Sequence, residues 1–337
     1  PIFTWLIHQK FELSIPLYRQ EKEWEALGLR LSRATMSNWL LVVYRDWLVH
    51  IVHRLKLELL KQRYLHIDET HVQVLKEPGR KNTSDSYMWV YCSIRDAVNP
   101  IRYFEYQPGR SGKYPETFLR EYEGYIHTDA YSGYNAVSGV KRCLCYTHLR
   151  RAFVDALPKD IHNSEASKPA EAILRLNQLF NIESELEALP PDQKKKERLI
   201  REKPLLEAFW SWAEKSAIGE LPKSKLSKAF HYALNNREGF WNYLEDGNCS
   251  ISNSLAENCI RPFVIGRKNW LFSGSPKGAE ASAGIYTLVE TAKANGLAPM
   301  KYIKYILSDM PGSAFLEHPE YLDDYLPWNP LVKEFCR

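Results

Sequence analysis

The sequence predicts a mixed α/β protein, and three observations carry that expectation. Between Tyr64 and Tyr146 apolar and polar residues alternate in several short runs, the pattern of half-buried strands. On both sides of that region apolar residues recur at spacings of three and four, as they do along one face of a helix. A content of 45% hydrophobic and 26% charged residues in 337 is that of a folded globular chain long enough for two or three units.

Residues 1 to about 62 read as helical. Leu17 to Leu27 has helical spacing and stops at Gly28, and Ser32 is placed to cap a second run from Arg33 to Leu40. Two helices around a short glycine-containing turn make a helix-turn-helix, whose second helix would turn Arg33, Thr35, Ser37 and Asn38 toward bases and phosphates. Two packed helices with a polar face fit the same spacing. Leu40, Val43, Trp47, Ile51, Leu55 and Leu59 then extend the stripe into a long amphipathic connector.

The strand candidate Tyr64 to Leu75 organises the rest of the chain. It carries Asp68 among apolar neighbours with no Lys or Arg between its ends, and such an acid is expensive to desolvate unless a cation faces it. A hard divalent ion would meet that need, but it takes several oxygen ligands, so two further acids are expected from distant segments. Asp129 ends the apolar run Gly124 to Asp129, at a strand's C-terminal end. Glu257 lies in Ser252 to Pro262, where Ser252 or Asn253 can cap a helix with Leu255 and Cys259 or Ile260 on its apolar face. Glu69, alternating with Asp68, points to the opposite face, as does His71, whereas His66 shares the face of Asp68.

Tyr87 to Ile94 and Ile101 to Tyr106 are further strands, a helix is expected around Thr117 to Tyr122, and Val140 to Tyr146 makes another strand. An antiparallel meander followed by interleaved helices resembles the ribonuclease H-like fold. Cys145 and His148 have metal-ligand spacing without a second pair, which favours a structural role near the site over zinc. Arg150 and Arg151 could meet phosphate or simply open a helix. Residues 153 to 250 read as helical, with Ala170 to Ala188, Lys194 to Lys215 and Lys223 to Glu245 as the longest candidates. They form an all-α insertion that covers or flanks the site, with the Lys194 to Lys196 run as a solvated face.

From Arg261 to Ser275, Arg261, Arg267 and Lys268 alternate with Trp270, Phe272 and glycines, which suits a phosphate backbone with stacked bases and equally an aromatic hairpin edge. Ala279 to Ala294 and Pro299 to Leu307 are helices, and the tail from Pro311 is expected to be irregular. The expected organisation is therefore a helix-turn-helix segment and connector (1–62), two parts of a catalytic domain (63–152 and 251–310) split by a helical insertion (153–250), and a tail (311–337).

The formal charge of +4 permits nucleic acid without requiring it. Six dispersed cysteines with no Cys-x-x-Cys pair point to a reducing compartment, and no apolar run is long enough to span a membrane. The start at Pro1, with no signal-peptide pattern, reads as a start within a longer parent.

Several ordered motifs then carry a resemblance. His66-Ile67-Asp68-Glu69-Thr70, Pro16-Leu17-Tyr18-Arg19-Gln20-Glu21, Thr128 to Tyr134, Cys145-x-x-His148-x-Arg150-Arg151, and Arg261-Pro262 with Gly266 to Trp270 together resemble bacterial transposases of the insertion sequence 66 family. The likeness runs from near Pro16 to about Pro311. It implies a DDE enzyme on a ribonuclease H-like fold, with Asp68, Asp129 and Glu257 as catalytic acids and metal ligands. It further implies Mg²⁺ as cofactor with Mn²⁺ able to substitute, DNA ends and target DNA as substrates, a homo-oligomer, accessory proteins of the same element, and a bacterial cytoplasm. Related chains usually carry a basic residue after the last acid, where this one has Asn258 and Cys259. A ribonuclease H-like nuclease that cuts without joining, and a non-catalytic DNA-binding regulator descended from a transposase, are the alternatives.

Overall fold

The helical spacing of the first sixty residues is realised as helices. In the computed structural model, which describes residues 2–158 and 167–337, α1 (Ile2–Ile7) runs into a π turn at His8–Glu12, α2 spans Leu17–Ala26 and α3 spans Arg33–Val43. Between α2 and α3, Gly28 takes φ +84°, and the Ser32 hydroxyl caps α3 by accepting the Thr35 amide at 3.1 Å. The helix does not end at Val43, because a π turn at Tyr44–Leu48 joins it to α4 (Val49–Leu60). That turn corrects the expected apolar stripe at one position. After Leu40 and Val43 the next buried residue is Leu48 rather than Trp47, since a π turn holds one extra residue and moves the stripe on by one. Ile51, Val52, Leu55 and Leu59 continue it.

These helices belong to the first of two units, formed by Pro1–Tyr122 and Leu255–Arg337. Its strands are β1 (Tyr64–Val74), β2 (Asp85–Ser93) and β3 (Arg102–Gln107), antiparallel in sequence order, with β2 paired to both others. Asp68 lies opposite Val90, and His66 opposite Cys92, which in turn faces Arg102. One face therefore carries His66, Asp68 and Thr70 with Cys92 and Arg102, and the other carries Glu69 and Tyr91. On this second face sits α5 (Lys113–Phe118), its Phe118 ring stacked on Tyr91 at 3.6 Å. The helix expected at Thr117 to Tyr122 is displaced toward the N-terminus, because Glu121 takes φ +67°, which a right-handed helix cannot contain.

The second unit is Glu123–Ser254. Here β4 (Gly124–Thr128) pairs in parallel with β5 (Val140–Leu144), Thr128 opposite Leu144, and Asp129 follows the last residue of β4. The remainder is helical as expected: α6 (Tyr146–Val154), α7 (Lys168–Glu185), α8 (Pro191–Glu197), α9 (Lys203–Ala217), α10 (Lys225–Asn235) and α11 (Arg237–Trp241). Residues 159–166 of the expected helical block lie outside the described residues. Phe153, Phe209, Trp210, Phe230 and Phe240 form an aromatic core. Beside it the buried Arg198 guanidinium donates to Glu183 at 2.6 Å and to the carbonyls of Tyr243, Asp246 and Cys249, so its charge is both paired and solvated by backbone.

The chain re-enters the first unit through α12 (Ser254–Trp270), which contains the expected helical Glu257 and continues through Pro262 to Trp270. The stretch from Arg261 is thus helix for ten residues rather than hairpin edge. Ala256, Ile260, Phe263 and Gly266 keep a buried stripe on both sides of the proline, and that packing outweighs the missing amide. β6 (Phe272–Ser273) then runs parallel to β1, with Phe272 beside Gln73. α13 (Pro276–Ala294) covers β3, where Thr291 and Thr287 hydroxyls accept the Arg102 and Phe104 amides at 3.0 and 2.8 Å. α14 (Pro299–Asp309) comes next, and the tail is more regular than expected. It ends in α15 (Pro330–Cys336), capped by Asn329 and held through buried Tyr325, Val332 and Cys336. Among the described residues no helix is long and apolar enough to cross a membrane.

Candidate functional site

Asp68 sits half-buried on β1, one carboxylate oxygen accepting the Glu69 amide at 2.9 Å. Two side-chain contacts lay α12 over its face. The Cys259 thiol is hydrogen-bonded to Cys92, opposite His66, and Arg267 Nη1 donates to Thr70 Oγ1 at 3.2 Å. From Cys259 to Arg267 a helix rises about 12 Å, and from His66 to Thr70 a strand advances about 13 Å. The two spans match, so the contacts fall on either side of the Asp68 position along β1. Glu257 lies two residues before Cys259, about 200° away around the helix. Asp68 and Glu257 are both half-buried in the first unit, one on β1 and the other on α12.

The hydrogen bond with Cys92 pulls the Cys259 pKa down, while burial pushes Cys92 well up. Glu69 behaves as strand alternation predicts. Its side chain is 1% exposed on the opposite face, and Arg110 Nε reaches Oε1 at 2.5 Å. His66 is buried on the Asp68 face, and His71 bonds Asp85 at 2.6 Å at the surface.

In the second unit Asp129 is half-buried and accepts the Tyr131 amide at 3.0 Å. Its loop is clamped by Arg142 of β5, which donates to Thr128 Oγ1 (2.7 Å), the Asp129 carbonyl (2.6 Å), the Tyr131 carbonyl (2.8 Å) and Asn135 Oδ1 (2.7 Å). The Tyr134 ring lies 5.2 Å from the same guanidinium. Sequence reasoning missed Arg142, although an arginine inside a five-residue strand was a usable signal. Cys145 is buried, its thiol raised by desolvation, and its sulfur accepts the Asn253 amide at 3.1 Å within 4.8 Å of a His148 ring nitrogen. A second unexpected group, His127, Cys143 and Cys249, also brings its ligating atoms within 4.8 Å of one another. However, His127 Nε2 accepts the Ser250 amide at 2.9 Å, and Cys249 is pushed far up by its hydrogen bond with Cys143 and by burial. These contacts join the three side chains into one buried hydrogen-bonded cluster.

With these acids and loops in view, the comparison with known proteins is decisive: the profile described as "Transposase IS66 family" matches residues 1–281. The chain belongs to the IS66 transposase family. Three relatives from Sinorhizobium fredii (strain NBRC 101917 / NGR234) carry the names uncharacterized protein y4hP, y4qI and y4jD. They are 26, 28 and 26% identical over 96, 97 and 96% of this chain and 60, 62 and 64% of their own lengths. The chain therefore spans less than two thirds of these relatives. No solved structure matches it.

The remaining candidates of this IS66-family chain divide by exposure. Arg33, Thr35, Ser37 and Asn38 are exposed along the first turns of α3, and the Arg33 guanidinium lies 5.8 Å from the Tyr18 ring. Arg261 and Lys268 are exposed on α12, Trp270 is half-buried at its end, and desolvation lowers the Arg267 pKa. Arg151 is exposed, whereas Arg150 Nε is engaged by Asn177 of α7 at 2.8 Å.

Proposed function

We propose that this chain is the catalytic part of a DNA transposase that cuts element ends and joins them to target DNA by phosphoryl transfer. Family membership supports a transposase role, and the site reading is supported by the two contacts, Cys92–Cys259 and Thr70–Arg267, that tie the helix bearing Glu257 to the sheet face bearing Asp68. Oxygen donors of this kind suit Mg²⁺ or Mn²⁺, and Asp68, Glu257 and Asp129 would hold the ions. Bound there, such ions lower the pKa of an attacking hydroxyl and offset charge on the leaving oxygen. The chain's own groups account for positioning. Arg267, held to Thr70 two residues along β1 from Asp68, offers a partly desolvated cation to a phosphate, and Arg142 keeps the Asp129 loop in one conformation. The exposed face of α3 would meet duplex phosphates and base edges.

The test is end-labelled element DNA incubated with the protein in Mg²⁺ or Mn²⁺, with cut and joined products resolved. Asp68→Asn, Asp129→Asn and Glu257→Gln should each lower cutting and joining by more than about 100-fold, beyond the loss expected for a group outside the ligand set. DNA affinity should stay level or rise, since a carboxylate that repels phosphate is gone. Cutting without any joined product would favour a nuclease, and a wild-type chain that never cuts in either metal would favour the DNA-binding regulator.

A further inference from the structure

The first unit carries a groove that shares Arg33 and Ser37 with the α3 face and is lined by none of the three proposed catalytic acids. Its volume is about 950 Å³, and it is walled by the end of the first π turn, the start of α2, the first turns of α3 and the junction of α12 with β6. Four cations line it, Lys10, Arg19, Arg33 and Lys76, and no Asp or Glu is among its lining residues. Concentrated positive charge in a concave wall selects a polyanion. Lys10 is held 5.2 Å from the Trp270 ring and 5.1 Å from Phe11, and desolvation lowers its pKa to about 8.

Two large rings are left open to the same groove. Tyr18 is 53% exposed and Phe272 44% exposed, with Arg33 beside the first. Three of the five non-glycine residues with positive φ among the described residues border it as well. Lys76 lines it, Leu271 links Trp270 to Phe272, and the Ser14 carbonyl accepts Asn269 Nδ2 at 2.9 Å. Strained backbone of this kind persists where a binding surface is held in shape.

We propose that this groove binds a short unpaired stretch of DNA, with phosphates at Lys10, Arg19 and Arg33 and bases stacked on Tyr18 and Phe272. A B-form duplex hides its base faces within the stack, and its major groove alone is about 12 Å wide, so it could use the cations but not the rings. An unpaired strand uses both, because every base offers a face to an aromatic ring. The volume, near the upper end of small-ligand cavities, accommodates a few nucleotides. The inference rests on the transposase reading only for the choice of DNA as the polyanion.

The experiment is fluorescence anisotropy of a labelled twelve-residue oligothymidylate, and of the same strand in duplex with oligodeoxyadenylate, in EDTA so that the catalytic acids play no part. The single strand should bind the wild-type chain. Tyr18→Ala should weaken that complex about tenfold, while leaving the duplex within about twofold, and Tyr18→Phe should restore it. Arg33→Ala should weaken both and reduce the salt dependence. Thermal melting checks that each variant is folded. Equal losses for single strand and duplex, no loss on Tyr18→Ala, or no single-strand binding at all would each overturn the proposal; the last would leave a peptide segment as the better occupant. Metal-dependent cutting that survives such a failure would show the transposase reading standing without this groove. Single-strand binding without any cutting would show the reverse.

Discussion

Replacing Arg142 offers the sharpest check on how the Asp129 loop is held. The guanidinium makes four hydrogen bonds, two of them to main-chain carbonyls at Asp129 and Tyr131, and all to the segment from Thr128 to Asn135. Each charge-assisted bond contributes about 1.5 kcal/mol or more net, but Arg142 is only half-buried, so water recovers part of the loss, and four bonds on one group do not add. Arg142→Ala should therefore destabilise the second unit by about 2–4 kcal/mol in urea unfolding. Arg142→Lys should recover less than half of this, since an ammonium cannot reproduce the fork. At a concentration where the variant is folded, end cutting should fall by about 100-fold, the loss expected when a catalytic group moves by about 1 Å. Binding of duplex DNA and its salt slope should not change. A variant as stable as wild type, or one whose lost cutting is matched by lost DNA affinity, would refute the clamp and make Arg142 a phosphate contact instead.

Other outcomes turn on single positions. An added Cβ at Gly284 would meet the Tyr44 ring at 2.1 Å, so Gly284→Ala should destabilise by about 1–3 kcal/mol, and Tyr44→Leu in the same chain should recover part of it in urea unfolding. Burial and the nearby Glu183 push the Glu202 carboxyl up to about 8. Because that folded value lies above the ordinary carboxyl range, its stabilisation is fully present below about pH 4.5 and is lost as pH rises through about 8. Glu202→Gln should accordingly raise the Tm relative to wild type at about pH 8.5, with the difference vanishing near pH 4.5. Lys10 is displaced the other way, so it loses its charge as pH rises through about 8. Oligothymidylate affinity should fall between about pH 7 and 9 in anisotropy, and Lys10→Arg should flatten that dependence.

Much of this architecture was legible in residue order because it depends on local spacing. The period-two runs placed β1 to β5 within a few residues. Ser32 announced the start of α3, and alternation along β1 separated Asp68 and His66 from Glu69. Where spacing was misleading, a contact from elsewhere in the chain decided the outcome. The π turn at Tyr44–Leu48 moved burial from Trp47 to Leu48, at the point where Tyr44 meets Gly284 of α13. A buried stripe carried α12 through Pro262, and the tail gained a helix that lies against α14, with Phe335 stacked on Tyr305.

What the chain determines by itself is the set of chemical groups and their local geometry: the strand bearing Asp68, the strand end bearing Asp129, and the helix bearing Glu257. Only the tertiary structure decided that Arg267 of α12 reaches Thr70 on the Asp68 face of β1, that Arg142 grips the loop after β4, and that Lys10, Arg33 and Phe272 line one groove. The reason is physical. Strand and helix periods act over a few residues and leave a pattern in sequence, whereas a guanidinium fork or a thiol pair joins positions far apart whose spacing carries no period at all.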